Sequence, residues 1–273
     1  MVETPMPILP APVAVSRPVG RRGGTGRRSA LLIGIGVALL GAAPTLMVQA
    51  SGHGRGILPP QHPTANVPAR PAFLGVCARA GATGTACARA ATLAFDRARG
   101  LEGLGPLALP SRFAGLPPAE QLFVLANEER TSRGLAPFVG LTVDLGRRAA
   151  AAAAAGNDPT LTSWRLGADG VAAWAGNWAS GPTPLGASYA WMYDDGYGTG
   201  NLACPTPTAS GCWGHRENIL VRWTPTPGRW LLMGAASVDR GADSGGAAVL
   251  LVLVHGPRPA LTYSWTEAVA EGF

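Results

Sequence analysis

A chain of 273 residues has room for one or two ordinary domains with a sizeable core, and its 38 glycines and 25 prolines put much of it in loops or linkers. All 22 basic residues are arginine, and Arg17, Arg21, Arg22, Arg27 and Arg28 against Glu3 place +4 of the net +6 in the first fifty residues. The remainder carries only +2, so a basic-protein argument for nucleic acid fails there and no nucleic-acid partner is expected.

Residues 1–29 read as a basic leader rich in Pro and Gly, the start of a disordered, exported N-terminal region. Ala30 to Val48 is an uncharged run behind Arg27-Arg28, the pattern of an export signal. Val48-Gln49-Ala50 suits cleavage after Ala50, while the run is also just long enough to span a bilayer. Segment 30–50 is therefore a signal peptide or a transmembrane anchor. Both alternatives leave residues 51–273 outside the membrane, secreted or anchored, with membrane contact only through the N-terminal segment. An oxidising compartment makes disulfides the default for Cys77, Cys87, Cys204 and Cys212. Three pairings are possible, and the two local ones are the most economical. Zinc lacks C-x-x-C spacing and a nearby histidine pair, so no metal or other cofactor is expected.

Residues 51–72, rich in Pro, Gly and His, read as a flexible linker in which His53 and His62 are solvated. Residues 73–115 form a small cystine-containing extension, with a helix over Ala86 to Arg99. A helix starts near Leu116-Pro117-Pro118 and stops at Gly134. A second runs from Val143 to Ala155, its seven consecutive alanines leaving a thin face that another element can approach closely. Trp164 to Ser180 holds three tryptophans and leads into a strand; Pro184 to Asp195 reads as a helix. Trp230–Val238 and Ala247–Val254 are apolar runs joined by a Gly/Asp-rich connector, which argues for a β-hairpin. Helices first and a hairpin last make an α+β domain over 116–265.

Leu125-Ala126-Asn127-Glu128-Glu129-Arg130, Gly134-Leu135-Ala136-Pro137-Phe138, a helix with Trp191, then Gly214-His215-Arg216-Glu217-Asn218-Ile219-Leu220 and a terminal hairpin follow one another in an order that resembles the CAP superfamily (cysteine-rich secretory proteins, antigen 5 and pathogenesis-related 1; SCP-like domains), in its bacterial secreted form. The resemblance covers about 150 residues. It implies an α-β-α sandwich with a central antiparallel sheet, and a cavity carrying two histidines and two acids. His215 matches the second histidine, and Asp194, three residues after Trp191, falls where the family has an acid. Asn177 matches an asparagine preceded by a glutamate in the family, where this chain has Gly176. The first histidine has no counterpart. The cavity is degenerate.

His215 and Asp194 could form a charge-assisted pair of the kind that general-base chemistry or metal binding uses; the plainer reading is a half-buried histidine bonded to structure. Asn177, Asn218 and Arg216 are the other candidates for the cavity, and their plainer role is also structural. Glu217 stands two residues from His215 and would face away on a helix. No G-x-S-x-G elbow or phosphate loop is present. The expectation is an exported domain that is more plausibly a binder than an enzyme, taking an apolar small molecule, a cell-envelope component or a protein. The alternative is a metal-dependent or general-base hydrolase built on His215 and Asp194.

Overall fold

The computed structural model describes residues 61–63, 66, 72–81, 84–161, 165–166, 169–181, 183–238 and 245–272. The leader, the 30–50 segment, most of the linker, Trp164 and the hairpin connector 239–244 lie outside the described residues. The order is α1 (Phe73–Ala80), α2 (Thr85–Leu101), α3 (Pro118–Thr131), β1 (Gly140–Leu141), α4 (Val143–Ala155), β2 (Arg165–Leu166), β3 (Asp169–Ser180), α5 (Pro184–Tyr193), α6 (Gly214–Ile219), β4 (Arg229–Val238), β5 (Gly246–His255), β6 (Tyr263–Ser264) and α7 (Trp265–Ala270). This is an α+β fold.

Local chemistry sets the helix ends. Pro118 opens α3 at a position where its missing N–H is not needed. The Thr142 hydroxyl accepts from Leu145 N–H to cap α4, and Gly156 closes that helix in the left-handed region. Thr183 caps α5 through Gly186 N–H, and Ser264 with Glu267 forms a capping box on α7.

The six strands lie in the order β2-β3-β5-β4-β1-β6. β4 and β5 pair antiparallel from Arg229↔His255 to Val238↔Gly246, and β3 continues the sheet beyond β5. The expected all-antiparallel sheet is corrected at one place: β1 runs parallel to β4, with Gly140 opposite Leu232. The chain comes off α3 through Leu135 to Phe138 and enters the sheet in the direction of β4, so the sheet is mixed.

Residues of β4 and β5 alternate between two hydrophobic clusters, the period-2 signature of a sheet buried on both faces. Leu231, Met233, Val249 and Leu251 belong to the larger cluster with α3 and α5. Leu232, Leu250 and Val252 face the other way, against Leu145 of α4. Ala91, Ala94, Phe95 and Ala98 of α2 sit in the larger cluster, so residues 73–115 share the core of the element series that follows them. At the other end, α7 extends the fold past residue 265, with Ala268 buried. Cys77–Cys87 and Cys204–Cys212 are the disulfides, the two local pairings, and they are compatible with an extracellular protein. No helix among the described residues is long and apolar enough to cross a membrane.

The alanine face of α4 lets that helix lie directly on the sheet. A Cβ placed on Gly234 of β4 would stand 2.2 Å from the Leu145 carbonyl carbon, which is backbone and cannot swing aside. Gly234→Ala should therefore lower stability by about 3 kcal/mol, read as a drop in the denaturant midpoint. An unchanged midpoint would mean that α4 is not seated there.

Candidate functional site

The turn after α5 and the first turn of α6 meet at the Asp195 carboxylate, which is 2% exposed. Its Oδ2 accepts from the backbone N–H groups of His215 (2.8 Å) and Arg216 (3.3 Å), so Asp195 satisfies the otherwise unpaired start of α6 from across the loop. Its Oδ1 accepts from His215 Nδ1 at 2.7 Å and from Asn201 Nδ2 at 2.8 Å. Asn201 also donates to the Asp195 and Gly211 carbonyls, which ties the loop closed by Cys204–Cys212 to the same point. Trp213, just before α6, has φ 64°, the only positive φ on a non-glycine described residue, and its N–H donates to the Asp195 carbonyl.

The sequence reading paired His215 with Asp194; that is corrected to Asp195. The helix ends at Tyr193, so the chain has left helical geometry where the resemblance places the acid. The Asp194 side chain instead accepts from Asn66 Nδ2 at 3.5 Å.

The other ring nitrogen of His215 is also engaged. Nε2 lies 3.3 Å from Oδ1 of Asp158, in the loop that follows α4. The same carboxylate oxygen accepts from Trp178 N–H on β3 at 2.6 Å. Nothing in the sequence points to Asp158 as a partner beyond its place in a helix-stopping Asn-Asp-Pro turn. Next to it, the Pro159 carbonyl oxygen lies 2.1 Å from where a Cβ on Gly176 would be. The position where the resemblance implies a glutamate is filled by the backbone of this loop, and only glycine fits beneath it.

His215 thus bridges a buried and an exposed carboxylate, its own side chain 19% exposed. Burial disfavours its charge, but the Asp158 and Asp195 contacts outweigh that and raise its pKa to about 10. A pKa of about 10 corresponds to an imidazolium at neutral pH, which would donate from both nitrogens and keep no lone pair for a metal or for a proton. Burial pushes the Asp195 carboxyl up, against the His215 ring and the Arg216 and His215 backbone N–H groups that favour its ionised form. No group of three or more His, Cys, Asp or Glu among the described residues is arranged to hold a metal ion.

The remaining candidates are used internally. Asn177 Nδ2 donates to the His215 carbonyl at 2.9 Å, and Asn218 Nδ2 donates to Asn177 Oδ1 and the Gly176 carbonyl. Arg216 is fully buried: its guanidinium donates to the Gln61 and Met192 carbonyls and to both oxygens of Glu102. Glu217 faces away from His215 and pairs with His62 at 2.5 Å in an exposed contact. His255, at the end of β5, accepts from Arg229 Nε.

Beneath the site runs a buried charge network. Arg133 pairs with Glu102 and with Glu129, Arg99 with Glu128 and Glu129, and Arg216 with Glu102. The Tyr193 hydroxyl donates to Glu129 at 2.9 Å. Burial opposes the charge on Glu129, and Arg133 and Arg99 more than offset it, so its carboxyl titrates below the usual range. Glu102, Arg99 and Arg133 carry no motif; their spacing alone would pass for ordinary surface charge.

No protein-family model matches the chain, and no curated protein or solved structure does either.

Because the folded pKa of His215 lies above its unfolded value near 6.5, its contribution to stability is complete below about pH 6.5 and is lost as pH rises towards about 10. Asp158→Asn keeps an acceptor for Trp178 N–H but removes one charge. Its folded state should therefore shed less stability over that alkaline range, measured by urea unfolding as a function of pH. Identical alkaline slopes for the two proteins would contradict the Asp158 contact.

Proposed function

We propose that this chain is an exported CAP-like domain that acts by binding at its surface rather than by catalysis. The observation that carries this reading is the closed site. His215 is held between Asp195 and Asp158, and the Pro159 carbonyl occupies the space above Gly176. A general base needs a lone pair at working pH, and a metal ligand needs a neutral imidazole. An imidazolium that donates to two carboxylates offers neither. The α-β-α sandwich of the superfamily is supported by helices α3 and α5 against one face of the sheet and α4 against the other. The two cystines support export.

With its polar cavity filled, the domain would meet its partner through exposed surface, and a cell-envelope component is the partner that an exported, tethered domain encounters first. The hydrolase alternative draws on one feature, the short His215–Asp195 contact, which is how a base is oriented. It would require Asp158 to leave Nε2.

The purified chain, incubated with divalent metals and with ester and peptide substrates, should show no hydrolysis above background. His215→Gln should bind isolated cell envelopes as the unaltered protein does. Metal-dependent hydrolysis that disappears in a folded His215→Gln variant would overturn the proposal.

A further inference from the structure

We propose that the outer face of α2 docks on an anionic lipid bilayer, holding the domain flat against the membrane from which it is suspended. The inference rests on the anchored form of the reading above, in which residues 30–48 stay in the bilayer.

The inner face of α2 is buried through Cys87, Ala91, Ala94, Phe95, Ala98 and Arg99. On the opposite face Arg89, Leu93, Arg97 and Leu101 recur every four residues, the spacing that lines side chains up along a helix. All four are exposed, the leucines to 58% and 68%. Neither Arg89 nor Arg97 has a hydrogen-bond or ion-pair partner among the described residues. The acid beside Arg97, Asp96, accepts from Leu107 N–H and is used there. The stripe is thus a row about 18 Å long in which exposed guanidiniums alternate with isobutyl groups. Guanidiniums take phosphate oxygens in bidentate fashion, and their stems lie along apolar surface beside the leucines. Apolar side chains interleaved with cations on one helix face are the chemistry of binding at an anionic membrane interface.

The point where the linker joins the domain agrees with that assignment. The Gln61 carbonyl accepts from Arg216 Nε at 2.7 Å, and the same guanidinium donates to Glu102 at 2.7 and 2.9 Å. Glu102 directly follows Leu101, so the incoming chain meets the domain one arginine side chain away from the end of the stripe. Only residues 49–60 separate the apolar run from Gln61, which keeps this join within about 45 Å of the bilayer. Tethering over so short a span lets a weak surface contact become populated.

The test uses the full chain with an environment-sensitive fluorophore at Leu93→Cys, mixed with vesicles of phosphatidylglycerol-rich or pure phosphatidylcholine composition. A second sample carries the label at Val143→Cys on α4. Flotation with the vesicles reports the anchor, and the label reports docking. The expected result is a blue shift and quenching by lipid-borne nitroxides at position 93 on the anionic vesicles alone, with position 143 unchanged. Arg89→Glu with Arg97→Glu should weaken docking by about tenfold or more while flotation persists. A chain that floats with position 93 still in water overturns the docking and leaves the anchor standing. A chain that floats with neither vesicle type overturns both. A shift equal on the two lipids, or one produced only by soluble polyanion, assigns the face to something other than an anionic bilayer and overturns the proposal.

Discussion

A single buried carboxylate, that of Asp195, holds together the part of the molecule that carries its polar chemistry. A buried anion is costly unless its lone pairs are taken, and here four donors take them: two N–H groups at the start of α6, the His215 ring and the Asn201 amide. Each donor belongs to an element that the sheet does not hold in place by itself. Helix α6 is only six residues long, too short to persist without help at its ends. The cystine loop is tied to this point through Asn201, and Trp213 sits in a backbone region unfavourable to it. Asp195 compensates all three.

From that point the order propagates inwards through charge. Glu102 links Arg133 of the segment after α3 to Arg216 of α6, and Arg133 and Arg99 converge on Glu129. Three guanidiniums and three carboxylates thus neutralise one another inside the core. Such a set adds little net stability over a well-packed apolar core, yet loss of one member leaves an uncompensated buried charge. Its structural consequence is registry. Helices α2, α3 and α6 must assemble together for all of these charges to be satisfied, which explains why residues 73–115 are part of the core although they lie outside the family resemblance.

The sequence made the long elements legible and the short ones not. Helices α2, α3, α4 and α5 announce themselves through Pro, Thr or Gly at their ends and apolar spacing between, and β4–β5 through two apolar runs across a turn. Strands β1, β2 and β6 are two residues each, too short for any periodicity to register. Helix α7 did carry a readable signal, the Ser264–Glu267 capping box. At the site, His215 stood out through its neighbours, but its acid was displaced by one residue because α5 stops at Tyr193. Asp158 stands 57 residues from His215, and such a pairing has no local signature. The buried glutamates look in sequence like the solvated face of α3, since only tertiary contact with Arg99 and Arg133 reverses their environment.

A histidine motif that would suggest catalysis is therefore part of a lock: loop 156–161 lies over β3, with the imidazolium as its bolt. The most direct measurement of that state is the nitrogen-15 chemical shift of the two His215 ring nitrogens at neutral pH. Both shifts should be those of protonated imidazolium nitrogens. A shift for Nε2 in the range of an unprotonated nitrogen would mean an open, basic ring, and the lock would be the wrong description of this site.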